Sequence, residues 1–171
     1  MNKCGVCNKE LGRFDFEYIC KHCGKYLCWD CAKSIKLLHS FEYYKCFDIK
    51  VDFDWYVSMG FGYTGCSSCR AWIADVDSKI EIALNNYSNI ETYSANYKGR
   101  IKKDKKPFMN ISSPYFRERN DAENFLKAIA VYYGCNTVYD LEFEKDTSSE
   151  PGTGRGTHHY TVWKAFGKIG Q

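Results

Sequence analysis

The chain has 171 residues, a formal net charge of +3, 44% apolar and 17% aromatic residues, and ten cysteines. That length suits one domain or two small ones, and so much apolar and aromatic material excludes a disordered tail. The small charge excludes a strongly basic nucleic-acid binder, and no apolar run approaches the roughly 20 residues of a membrane span.

The N-terminus, Met1-Asn2-Lys3-Cys4-Gly5-Val6-Cys7, leads straight into metal-like spacing with no apolar leader core, so a soluble cytoplasmic protein is expected. Disulfides need an oxidising compartment, and the chain shows no route to one. Eight of the ten cysteines fall in four Cys-x-x-Cys pairs: Cys4/Cys7, Cys20/Cys23, Cys28/Cys31 and Cys66/Cys69. Two intervening residues let a tight turn aim both sulfurs at one point, and two pairs complete one tetrahedral zinc site. Four pairs therefore predict two structural Zn2+, against the rival readings of disulfides or an iron–sulfur cluster. Only four residues separate Cys23 from Cys28. A link that short hardly folds both its pairs around one ion, so an interleaved arrangement is expected. Cys4, Cys7, Cys28 and Cys31 would hold one ion, and Cys20, Cys23, Cys66 and Cys69 the other.

The run Cys4-x2-Cys7-x12-Cys20-x2-Cys23-x4-Cys28-x2-Cys31, closed by Cys66-x2-Cys69, resembles the FYVE zinc finger and its treble-clef relatives. The segment from Cys20 to Cys31, with Gly24 and the apolar Leu27 before the third pair, is similar to the family's central stretch. The resemblance covers residues 4–69 and implies interleaved two-zinc binding by these eight cysteines. FYVE domains read an inositol phosphate through a basic, His-rich motif just before the second pair. Here that stretch is Phe16-Glu17-Tyr18-Ile19-Cys20-Lys21, so phosphoinositide binding is not expected. The 34 residues between Cys31 and Cys66 exceed the family's last spacing and imply an inserted element. RING fingers, which transfer ubiquitin, are the other interleaved two-zinc family. Their middle pair includes a His, which makes His22 the residue to watch, although its spacing to Cys28 fits poorly. Whether His22 or Cys46 replaces one of the eight ligands stays open at this level. Cys46 and Cys135 otherwise read as small buried hydrophobes.

Residues 31–39 read as a short helix beginning at the third pair. Ile49 to Val57 alternates apolar and polar residues and predicts a half-buried strand, with Gly60, Gly62 and Gly65 marking turns. After Cys69, Trp72, Ile73, Val76, Ile80, Ala83, Leu84 and Tyr87 recur at helical steps. Asn85, Asn86, Ser88 and Asn89 end that helix, which places a domain boundary between residues 88 and 89. The second half reads β-α-β-β. A strand runs from Tyr93 to Ile101, a polar connection covers 102–107 and 112–114, and a helix capped by Asn120 or Asp121 carries Phe125, Leu126, Ile129, Ala130 and Tyr133. Gly134 stops it. A strand from Thr137 to Phe143, a loop from Asp146 to Thr157 and a last strand from Tyr160 to Ile169 complete the layer. The fold class is thus α+β: a small treble-clef-like two-zinc module with an inserted hairpin (1–88), then a small β-α-β-β domain (89–171). The stretch Gly134-Cys135-Asn136-Thr137-Val138, with Lys164-Ala165-Phe166-Gly167-Lys168 later, is similar to small bacterial YbjQ-type heavy-metal-binding domains. Those form rings, so the resemblance implies self-association.

Lys98, Arg100, Lys102, Lys103, Lys105 and Lys106 form a basic stretch near Tyr93 and Tyr97 that could grip nucleic acid. Eight thiolates and two dications would bring the formal +3 to about −1, which disfavours that partner. Gly152 to Thr157 lacks the Lys-Ser/Thr ending of a phosphate loop and reads as a hairpin loop, after which His158 and His159 point to opposite faces. Asp140, Glu142 and Glu144 read as a solvated strand face. No nucleophile–base constellation or nucleotide fingerprint appears, so no catalytic residue is expected. The sequence reads as a zinc-stabilised interaction or scaffold protein with a protein partner or a second copy of itself. Nucleic-acid binding and a RING-like ligase are the alternatives.

Overall fold

A computed structural model describes residues 2–12, 18–20, 22–35, 37–50, 63–99, 107–152 and 156–170, apart from the side chains of Ile35, Tyr63, Pro107 and Phe108. The chain is α+β and divides into two compact units, Met1–Ser40 with Ile49–Ser78, and Phe41–Asp48 with Lys79–Gln171.

In the first unit, β1 (Tyr18–Ile19) pairs antiparallel with β2 (Tyr26–Leu27), and β3 (Lys33–Ile35) with β4 (Tyr63–Gly65). β3 lies where a short helix was expected over 31–39. Ala32, Ile35 and Leu38 recur at three-residue steps, but Leu38 is 63% exposed, so that stripe is not buried at its far end. Pairing of Lys33, Ser34 and Ile35 with Gly65, Thr64 and Tyr63 satisfies the backbone instead. Of the strand expected from Ile49 to Val57, Ile49 and Lys50 lie in no strand, and residues 51–57 lie outside the described residues, as do Gly60 and Gly62.

Helix α2 (Ser67–Asn85) starts five residues before the expected stripe and takes Cys69 into its first turn. Ile73, Val76, Ile80 and Ala83 are buried along one face, as helical spacing demands. The side-chain amides of Asn85 and Asn86 donate to the carbonyls of Glu81 and Ile82 and satisfy the helix end. The division between the units falls inside α2, not at 88/89.

The second unit also takes in α1 (Phe41–Cys46), a six-residue helix in the middle of the N-terminal half. The reason is aromatic packing. Tyr44 and Phe47 are fully buried, Phe47 lies edge-on to Phe125 and Tyr132 at 5.5 and 5.0 Å, and Tyr43 stacks on Phe125 at 4.7 Å. The Tyr133 hydroxyl donates to the Phe47 carbonyl at 2.7 Å.

The sheet of this unit has four strands rather than three, in the order β5-β7-β8-β6. β5 (Glu91–Ser94) is shorter than expected, because the Tyr97 N–H turns back to the Ser94 carbonyl at 2.9 Å. β6 (Pro107–Ser112) fills the stretch between the polar segments expected at 102–107 and 112–114 and pairs antiparallel with β8. β7 (Thr137–Pro151) and β8 (Thr157–Gly170) form a long hairpin, so the loop expected from Asp146 shrinks to a few residues. A bulge between Tyr139 and Glu142, with Asp140 at φ 50°, shifts the register, and Asp140 holds Lys168 at 2.8 Å. Asp140, Glu142 and Glu144 are all exposed. β5 is parallel to β7.

Helix α3 (Arg119–Tyr132) packs on the sheet through Ala122, Phe125, Leu126, Ile129 and Ala130. Its cap residue is Glu118, which makes no side-chain cap bond, while Asn120 and Asp121 sit within the first turn. Gly134, at φ 70°, ends it in a conformation that side chains resist. Beneath the helix a Cβ at Gly167 would come within 2.9 Å of Val138 Cγ1 and 3.1 Å of the Tyr139 carbonyl oxygen. Gly167→Ala is expected to lower stability by about 1–3 kcal/mol, read as a shift of the urea midpoint at unchanged slope.

Candidate metal centres

Each Cys-x-x-Cys pair is built on the same local turn. The N–H four residues past the first cysteine returns to that cysteine's carbonyl: Asn8 to Cys4 at 2.9 Å, Gly24 to Cys20 at 2.8 Å, Ala32 to Cys28 at 2.9 Å and Arg70 to Cys66 at 3.0 Å. The four clamps come from different elements. Cys4 and Cys7 lie in a turn spanned by the Lys3–Glu10 bridge, and Cys20 and Cys23 lie between β1 and β2. Cys28 and Cys31 lie between β2 and β3, and Cys66 and Cys69 open α2.

The clamps meet in two groups. Cys4, Cys7, Cys28 and Cys31 lie with their sulfurs within 4.8 Å of one another, and so do Cys20, Cys23, Cys66 and Cys69. Across pairs, Cys7 Sγ is 3.7 Å from Cys28 Sγ, and Cys23 Sγ is 3.9 Å from Cys66 Sγ. A tetrahedral ion with metal–sulfur bonds of about 2.3 Å separates its sulfurs by about 3.8 Å, whereas a disulfide needs about 2.05 Å. All ten cysteines are unbonded to one another. The donor set and its spacing therefore fit a metal ion in each group.

Electrostatics tell the same story. Burial pushes the Cys4 thiol up, but hydrogen bonds from the backbone of Cys7, Cys28 and Val6 outweigh it and hold it at about 6. Cys20 is likewise held at about 7, against its burial, by the backbone of Cys66, Cys23 and His22. The Cys66 N–H lies 3.4 Å from Cys20 Sγ, and the Cys69 N–H 3.4 Å from Cys66 Sγ, so the start of α2 faces sulfur with its positive end. Other members go the opposite way. Hydrogen bonds with the Cys28 and Cys7 sulfurs push Cys31 up to about 12, and burial followed by the sulfurs of Cys66, Cys23 and Cys20 pushes Cys69 up. Each group thus gains its first negative charge readily and resists the rest until a cation compensates them.

His22 joins neither group. It is exposed and stacks on Trp72 at 4.3 Å. Cys46 and Cys135 also lie outside both groups. Burial pushes the Cys46 thiol up to about 11 and the Cys135 thiol upward as well. Because its folded value is raised, the contribution of Cys46 to stability is full below its ordinary value of 9.0 and is lost as pH rises through about 11. At pH 8 roughly one Cys46 in a thousand is thiolate. Iodoacetamide is expected to leave it unlabelled in the folded chain, with labelling rising about tenfold per pH unit toward 11, followed by peptide mass spectrometry.

No family model, curated protein or solved structure matches the chain. Of the basic stretch, Lys98 is exposed, while Arg100, Lys102, Lys103, Lys105 and Lys106 lie outside the described residues. β8 has begun by Thr157, so consecutive His158 and His159 take opposite faces, both exposed. Among the described residues no helix is long and apolar enough to cross a membrane. The backbone donors of Val6 and His22 escape a reading by residue type, since any residue supplies an N–H.

Proposed function

We propose that the chain is a zinc-stabilised, non-enzymatic scaffold or protein-interaction protein of the cytoplasm, whose first unit is a treble-clef-like, FYVE-related module holding two structural Zn2+. The observation that carries this reading is the convergence of four cysteine sulfurs in each group, a donor set that would fill a tetrahedral ion and leave no position for water or substrate. Zinc favours such all-sulfur, tetrahedral sites. The treble-clef reading draws support from the second group, where a hairpin turn bearing Cys20 and Cys23 faces the first turn of α2 bearing Cys66 and Cys69. The interaction role draws support from Trp29, 71% exposed between Cys28 and Cys31, where a rigid turn presents an aromatic anchor. Self-association draws support from β5 and β6, the two edges of the sheet.

Native mass spectrometry of protein purified without chelator is the test. A mass raised by two zinc ions per chain is expected, along with dimers or larger species that grow with concentration. A monomer at every concentration removes the self-association role. A chain carrying one zinc or none removes the two-zinc module.

A further inference from the structure

The two thiol groups differ in how they meet solvent. Each has a single exposed cysteine, Cys7 in the first and Cys23 in the second. In the first group Cys31 is half-buried beside buried Cys4 and Cys28, whereas in the second Cys20, Cys66 and Cys69 are all buried. Backbone N–H groups bond sulfur in both groups, so solvent access is what separates them. Among the described residues, the cysteines make up most of the buried cluster at each group, with Tyr18 and Ala32 packed on the second. The buried cluster at the first is Cys4, Cys28 and Leu11, and at the second Cys20, Cys66, Cys69 and Leu27. The ligands are the core, so losing them dissolves the local fold.

We propose that the pair of centres is a graded peroxide switch, entered at Cys7 in the more sensitive first centre and at Cys23 in the more resistant second. This rests on the reading of both groups as zinc-loaded. In the first step hydrogen peroxide accepts two electrons from the Cys7 thiolate, the O–O bond breaks, and a sulfenic acid forms as hydroxide leaves. A buried thiolate then attacks the sulfenyl sulfur, the S–S bond forms, the S–O bond breaks, and a second hydroxide leaves. Two thiolates and one peroxide become one disulfide and two hydroxides. Cys28, 3.7 Å away, needs to close by less than 2 Å to reach a disulfide length of about 2.05 Å. With two of its four ligands gone, the first centre no longer holds its ion and its segment of the first unit opens. Cys23 and Cys66, at 3.9 Å, repeat the chemistry at higher peroxide. A reductant with added zinc reverses both steps. Cys135, buried, and Cys46, half-buried, lie outside the groups and are internal controls.

The test uses the full-length zinc-loaded chain, with its metal content counted first. Peroxide is added in steps in the presence of a metallochromic indicator and of dimedone, which traps sulfenic acids, and the sites are mapped by peptide mass spectrometry. Expected are two successive zinc releases, the first several-fold faster, with dimedone on Cys7 before Cys23 and none on Cys46 or Cys135. Two bound zinc ions that leave together, stay bound, or leave with labelling at buried sulfurs overturn the switch while leaving the zinc reading intact. A chain that binds no zinc at the outset overturns both.

Discussion

Chelation strips the first unit of its protection against hydrogen exchange and leaves the second unit's pattern in place. That is the largest effect expected of any perturbation. A structural zinc site contributes about 10–16 kcal/mol of binding free energy, whereas one buried leucine such as Leu11 or Leu27 contributes about 1.5–3 kcal/mol. Among the described residues, the clusters around the two groups consist of these leucines and the cysteines, with Tyr18 and Ala32 packed on the second. Peptides from 2–35 and 63–78 should therefore exchange at the rate of an open chain in excess chelator, and those of α3, β7 and β8 should not. Serine substitutions resolve the pairing. Cys4→Ser and Cys20→Ser should each retain one ion, and the double variant none, because the two residues belong to different groups. If the double variant still binds one ion, the interleaved assignment fails. If protection in the first unit survives exhaustive chelation, the metal is not what holds it.

Phe47→Ala is the second large effect, expected at about 3–5 kcal/mol against the second unit with no change in metal content. Phe47 is fully buried, touches two aromatic rings edge-on, and directly follows a six-residue helix too short to persist alone. Truncation removes ring contacts to Phe125 and Tyr132 and leaves a cavity where the ring was. Urea unfolding followed through amides of β7 and β8 reads the loss. An unchanged midpoint would show that α1 is a passenger on the second unit.

What could be read ahead of the structure follows the range of the forces involved. The cysteine pairs are legible because one ion constrains residues three apart, and that constraint is written locally. The stripe Ile73, Val76, Ile80 and Ala83 is legible because a long helix repeats its pattern. β6 is not, because its apolar content is Phe108, Met109 and Ile111, too short a run to show a period, and it is a strand only by pairing with β8. The distal half of the β7–β8 hairpin escapes for another reason. Thr147, Ser148 and Ser149 pair with Thr161, Tyr160 and His159, largely exposed on both faces, so no apolar alternation marks them. α1 belongs with residues eighty positions later, and only the tertiary fold brings Phe47 to Phe125 and Tyr132.

The repeated turn under each cysteine pair has a consequence for how the chain assembles. Every pair is a preformed two-toothed grip, so capturing an ion means joining two grips rather than gathering four separate sulfurs. Cys7 and Cys28 are 21 residues apart, and Cys23 and Cys66 are 43 apart, a doubling that raises loop-closure cost by only about 0.6 kcal/mol. Order of emergence from the ribosome therefore outweighs entropy. The earlier circle can shut once Cys31 is made, and in shutting it carries Cys20 and Cys23 along as a waiting half-socket for the start of α2.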